Sequence, residues 1–439
     1  MVKWIRLTRV PYPASWVIVA VFLIAVAALT KTEPKSWNDQ SHIAAIESFV
    51  ERGTWAIDGS PWQDQTLDKV LLNGRFYSDK MPLLSLVGAG VYAILHYGFG
   101  GSLASNCHLA GKFCAYYWLT LGLVGIPAAL LLWLFFDFAR QRHVPLWASL
   151  IGTLALGVGT MVFPYALVFN HHLPAAVSLF ASFYLLTAHA ASSRWGMLAA
   201  SFFATLALSF DALAGVMAVS LFAIALVRDR SQARYLIVGA AIPLALTALL
   251  DYQITQTVFP PYLIPNGFAY PGSAIPATIG GNAAPADYAV YVFRMFVGGK
   301  GLFAYNPLLL FALAGAIGVV RHRKHALRVE AVCVLFGFIL QSLYLATNTR
   351  DLGGPGYGER WFVSALPLLF AFIFFAPPLN LAIGKSAAWI LFVPLLGLSV
   401  ISSLQGAQAP WHEWLPPAQM IRFREAPNII GIRWNVKFP

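Results

Sequence analysis

Apolar runs of about twenty residues recur along this chain, separated by short polar segments that carry most of its Lys and Arg. A membrane-crossing helix needs about 20 mostly apolar residues. Such runs lie at 13–31, 115–137, 147–167, 173–190, 197–210, 212–227, 235–255, 305–320, 327–347, 361–377 and 386–404, with Asp211 interrupting the stretch 197–227. The pattern predicts an all-α polytopic membrane protein of about eleven spans. The basic start and the apolar run after it lack a small-residue cleavage site, so they read as a first spanning helix and not as a signal peptide.

The distribution of basic residues sets the expected orientation. With the N-terminus in the cytoplasm, Lys3, Arg6, Arg9, Arg140, Arg142, Arg194, Arg228, Arg230, Arg234, Arg321, Arg323, Lys324, Arg328 and Lys385 all fall inside, against the acids Asp137 and Asp229. A further span at 81–97 would flip every later basic loop outward. "MPLLSLVGAGVYAILHY" therefore reads as a helix that dips into the outer leaflet and returns, with residues 32–114 forming one long extracytoplasmic loop.

Within that loop, "DQSHIAAIESFVERG" repeats Ile43, Ile46, Phe49 and Val50 at helical spacing, with Asp39, His42, Glu47 and Glu51 on the other side. This predicts an amphipathic helix over 40–52 lying on the membrane and ended by Gly53, with Asp39 a candidate cap. The Pro- and Gly-rich loop 256–304 reads as an extracytoplasmic lid. The expected organisation is a transmembrane domain over 1–404 and a short extracytoplasmic tail over 405–439 with Trp411, Trp414 and Trp434.

Composition fits this reading. The 439 residues are 59% hydrophobic and 11% charged, far from the roughly 25% charged of soluble domains. The net charge of +11 belongs to the cytoplasmic loops, so nucleic acid is not an expected partner. Of the three cysteines, Cys107 and Cys114 share a loop and can pair if that loop is extracytoplasmic; Cys333 stands apart. The bacterial inner membrane is the expected location.

Candidate chemistry gathers at the ends assigned to the outside: Asp39 after the first span, Asp79 and Lys80 in "FYSDKMP", Asn170, His171 and His172 in "VFNHHLPAA", Asp211, Lys300 in "GGKGLFAYNP", and Tyr357, Glu359 and Arg360 in "GGPGYGERWF". Cations stabilise a phosphate leaving group and a carboxylate takes a proton from an attacking hydroxyl, so the set suits a lipid-phosphate substrate. The twin histidines are not a metal motif by spacing, because no carboxylate is spaced with them. No cofactor is implied, with a divalent metal left open.

The order of these parts resembles the GT-C superfamily of membrane glycosyltransferases, which includes the protein O-mannosyltransferases and the lipid A aminoarabinose transferase. "FYSDKMP" is similar to that family's "EKPP" or "SDKPP". "GKGLFAYNPLLL" and "GYGERWFVSALPLL" resemble "GLFVYSP" and "YGPRYLLPALP" of bacterial members. The resemblance covers about residues 1–375. It implies transfer of a sugar from a polyprenyl-phosphate donor to an extracytoplasmic acceptor, lipid, glycan or protein. It further implies Asp39 as general base, with Lys80 and Arg360 clamping the donor phosphate; Lys300, a further cation at the same surface, is an additional phosphate-binding candidate. Asp79, Tyr357, Glu359, Asn170 and Asp211 stand as substrate-binding candidates. The chain departs from the family at Met81, where a second proline is usual, and at Asn170–His172, where relatives often carry a second acid. His171 and His172 are therefore candidate proton-handling groups. Two other readings are an O-antigen-ligase-like enzyme with a pyrophosphate-linked donor, and a polytopic lipid or solute transporter. The one-sided placement of the polar residues and the absence of a visible inverted repeat weigh against the transporter.

Overall fold

The computed structural model describes residues 13–104, 113–188, 193–273, 288–349, 352–380 and 387–412. The protein is an all-α polytopic membrane protein. Among the described residues, strand is limited to one hairpin, Lys69–Leu72 with Arg75–Ser78, and a two-residue parallel pair at 101–102 and 113–114. Among the described residues, five helices are long and apolar enough to cross a membrane: Pro82–Phe99, Ala115–Gln141, Ala233–Thr255, Arg328–Asn348 and Trp389–Gln408. Shorter apolar helices occupy 15–29, 146–158, 172–187, 194–210, 214–228, 309–321 and 366–375. Each of the eleven expected spans lands on one of these helices. The run 147–167 is broken: its helix ends at Val158 and the chain makes a separate turn at Val162–Tyr165.

Close approach of small residues holds the bundle together, as expected where lipid removes the hydrophobic drive between helices. A Cβ on Gly239 would lie 2.3 Å from the Leu198 carbonyl oxygen, and one on Gly315 would lie 2.1 Å from that of Phe372. Ala200, Ala204 and Ala207 are buried on the 194–210 helix, which packs against the 172–187 and 233–255 helices.

The connections fall at two opposite ends. At one, Arg142 donates to the Thr187 carbonyl at 3.1 Å, Arg228 donates to the Leu186 carbonyl at 3.0 Å and pairs with Glu330, and His325 meets Phe375. At the other, Lys31 Nζ donates to the Gln408 carbonyl at 2.9 Å, the Lys31 amide to the Leu167 carbonyl, and the Leu71 amide to the Gly267 carbonyl. The chain thus passes back and forth as the basic pattern required. The stretches 1–12 and 381–386, with Lys3, Arg6, Arg9 and Lys385, lie outside the described residues, as do residues 274–287 of the lid and 413–439 of the tail.

Two helices of the first long loop frame the site, and one starts earlier than expected. The amphipathic helix begins at Trp37, not at 40, because Ser36 caps it: its hydroxyl accepts from the Asn38 amide, while Asp39 at the third position bonds back to the Ser36 amide. Asp39 is thus the reciprocal partner of a capping box and not the cap itself. The stretch after Lys80 is one unbroken helix, Pro82–Phe99. It packs along the Trp37–Arg52 helix, with Tyr92 Oη bonded to Glu51 Oε1 and Tyr97 Oη to the Val50 carbonyl. Gly100, at φ +66°, turns the chain back so that the Leu103 carbonyl accepts from Trp62 Nε1 at 2.8 Å. Both flanks of this helix therefore meet the same end of the bundle.

Candidate functional site

The hairpin is built by Asn73-Gly74, both in the left-handed region at φ 51° and 77°, which a two-residue turn of this type requires. Its register pairs Lys69 with Ser78, so Asp68 comes opposite Asp79 and Lys80. Lys80 Nζ donates to Asp68 Oδ2 at 2.6 Å and lies 3.0 Å from Asp79 Oδ1. Burial alone would lower the Lys80 pKa, but Asp68 and Asp79 outweigh it and hold the ammonium above its ordinary value. Burial, reinforced by Asp68 and opposed by Lys80, pushes Asp79 up to about 6. Lys80 also lines a small cleft with Trp55, Ser78, Ser85 and Ile254, so its charge stands against an apolar wall.

Asp39 is fully buried. Its Oδ1 accepts from the Ser36 and Gln40 amides at 2.8 and 2.9 Å, and its Oδ2 from the Lys35 amide at 3.1 Å, Tyr116 Oη at 3.0 Å and Trp411 Nε1 at 2.9 Å. Burial nonetheless pushes its pKa up to about 7 against the pull of those donors. A carboxyl with a pKa near neutrality suits a base or acid catalyst. Trp411 joins Asp39 to Arg360, whose guanidinium carbon lies 5.4 Å from the centre of the indole ring. Among the described residues Arg360 forms no ion pair, and its Nε is buried without a hydrogen-bond partner. Its charge acts on Asp79, Lys80, His172 and Asp211.

The histidines form a third group. His42, one turn beyond Asp39, places Nε2 3.1 Å from His171 Nδ1 and Nδ1 2.9 Å from Ser85 Oγ. His172 Nδ1 lies 2.8 Å from Asp211 Oδ2, and the two neighbouring imidazole rings are 4.1 Å apart. Burial holds His42 and His171 well below the ordinary histidine value and raises Asp211. The carboxylate that the local sequence lacks is therefore supplied across space, from the turn between the 194–210 and 214–228 helices. One ligand atom from each of His171, His172 and Asp211 lies within 4.8 Å of the others.

Other candidates are bonded or buried within the fold. Lys300 Nζ donates to the Gly354 and Gly356 carbonyls at 2.6 and 2.9 Å, tying the 352–360 loop in place. The Asn170 amide nitrogen donates to the Tyr165 and Val168 carbonyls and its oxygen accepts from the Leu173 amide, which fixes the start of the 172–187 helix. Tyr357 is fully buried with its hydroxyl 2.6 Å from Ser402 Oγ. Glu359 is fully buried beside Arg360. Cys114 is disulfide-bonded and Cys333 is free; Cys107 lies outside the described residues. Sequence reasoning missed Asp68, Ser85 and Tyr116. The first was accessible, since Asn-Gly between two short apolar runs fixes the register that brings it to Lys80.

No protein family and no curated protein matches the chain. Among solved structures it is similar to the crystal structure of ArnT from Cupriavidus metallidurans in the apo state, at 17% sequence identity and a TM-score of 0.49. The match covers 88% of this chain and 63% of that one, so the chain spans less than two thirds of that structure's length.

Proposed function

We propose that this protein is a GT-C-type membrane glycosyltransferase that moves a sugar from a polyprenyl-phosphate donor to an extracytoplasmic acceptor. The observation that carries the reading is Lys80 at an apolar cleft, within electrostatic reach of a second cation, Arg360. Lys80 is steadied between Asp68 and Asp79, and Arg360 has no ion pair among the described residues. A lipid phosphate keeps its chain in the bilayer while its headgroup meets fixed charge at the rim. The motif resemblance at "FYSDKMP" and "GYGERWF" points to the same two residues.

In this reading the acceptor hydroxyl or amine attacks the anomeric carbon. The bond from that carbon to the phosphate oxygen breaks, and polyprenyl phosphate leaves with the electron pair. Charge grows on the departing phosphate, so Lys80 and Arg360 favour the transition state over the ground state. Asp39 accepts the proton, the acceptor taking the place of the Trp411 indole N–H at Oδ2. The basic end of the bundle faces the cytoplasm by the positive-inside rule, which puts this site outside the bacterial inner membrane. Mass spectrometry of envelope glycans from cells with and without the protein tests the reading. Loss of one sugar modification supports it, and identical glycans argue against it.

A further inference from the structure

His171 and His172 share one arrangement. Each has its Nδ1 held from behind, by His42 for the first and by Asp211 for the second. His172 Nε2 is buried without a hydrogen-bond partner, and no hydrogen bond of His171 Nε2 is found among the described residues. Of the two tautomer sets that satisfy every bond present, one has His172 Nδ1–H donating to Asp211, His171 Nδ1–H to His42 Nε2, and His42 Nδ1–H to Ser85 Oγ. That set leaves a lone pair on both Nε2 atoms. Metal-binding histidines are oriented in this way, with the second nitrogen donating to a carboxylate or another acceptor.

We propose that His171 and His172, backed by Asp211, bind a zinc-class divalent cation. Two imidazoles select zinc and its borderline neighbours over magnesium or calcium, which take oxygen ligands. The three side chains are compact, with one possible ligand atom each within 4.8 Å of the others. The scaffold is firm, because the 172–187 helix that begins at His172 packs against the 194–210 helix that ends at Asp211. The positive end of the 172–187 helix opposes a cation there, and so do Lys80 and Arg360. Against them stand Asp211 at the close of the 194–210 helix and the carboxylates of Asp68 and Asp79, which already engage Lys80.

The site is independent of the sugar-transfer reading and is tested without any donor. Full-length protein in detergent is loaded with zinc and dialysed, and its metal content is read by inductively coupled plasma mass spectrometry. Affinity is read by competition with a chromophoric chelator. The expected result is about one zinc per chain, lost in His172→Ala and in His171→Gln, with Asp211→Asn binding about 10–100-fold more weakly. Gel filtration and helical circular dichroism select the variants that fold. Wild-type protein holding no zinc, or folded His172→Ala and His171→Gln holding as much as wild type, overturns the proposal.

Discussion

Trp411→Phe isolates the role assigned to Asp39. The substitution keeps an aromatic ring beside Arg360 and Tyr165 and removes one donor, the indole N–H at 2.9 Å from Asp39 Oδ2. A hydrogen bond to a charged group contributes about 1.5–3 kcal/mol, and one pKa unit corresponds to about 1.36 kcal/mol. Losing the bond disfavours the ionised carboxylate, so a pKa near 7 rises by roughly one to two units. If Asp39 is the base, the acid limb of kcat/KM moves to higher pH by that amount while the plateau stays near the wild-type rate. Stability supplies a second readout. A carboxyl whose folded-state pKa is raised contributes most at low pH, and that contribution falls as pH climbs from the ordinary carboxylate range through the folded value. Thermal unfolding of wild type should therefore weaken up to about pH 7, and that of Trp411→Phe should go on weakening beyond it. An acid limb that stays within a few tenths of a pH unit of wild type would refute Asp39 as the titrating base.

Lys80→Ala should lower both donor affinity and turnover, with Lys80→Arg recovering part, because a planar fork and a point charge do not fit one pocket alike; normal turnover in both variants would reduce Lys80 to a membrane anchor. Gly315→Ala should destabilise the bundle by about 1–3 kcal/mol, read as thermal unfolding in detergent, since its Cβ meets the Phe372 carbonyl oxygen at 2.1 Å. A cysteine at exposed Gln65 should react with an impermeant thiol reagent in intact cells and one at exposed Ser231 should not; the reverse pattern would invert the topology.

Long-range order in this protein was legible wherever it follows from hydropathy and charge. The spans and the alternation of ends need only apolar length and the placement of Arg and Lys; Lys80, His172 and Arg360 each directly border an apolar run, and Asp39 follows the first span. Capping chemistry was also local: Ser36 and Asp39 three residues apart carry the capping box, yet the apolar repeat starting at Ile43 drew the predicted helix start toward 40. Pairings across space were not legible. His172 and Asp211 are 39 residues apart and meet only because two helices pack side by side. Asp39 and Trp411, 372 residues apart, meet because the last described helix returns to the same end. Lys300 and Asn170 carry functional side-chain types, and only the structure reveals that backbone carbonyls occupy them.

The central claim, cleavage of a polyprenyl-phosphate sugar at Lys80 and Arg360, is tested most directly by the release of polyprenyl phosphate. Purified protein in lipid nanodiscs would be incubated with a panel of polyprenyl-phosphate sugars and an envelope extract as acceptor, and the lipid product followed by mass spectrometry. The account predicts release from at least one donor by wild type, and at least about a hundredfold slower release by Arg360→Ala. No release from any donor in the panel, or release by Arg360→Ala at the wild-type rate, would contradict it.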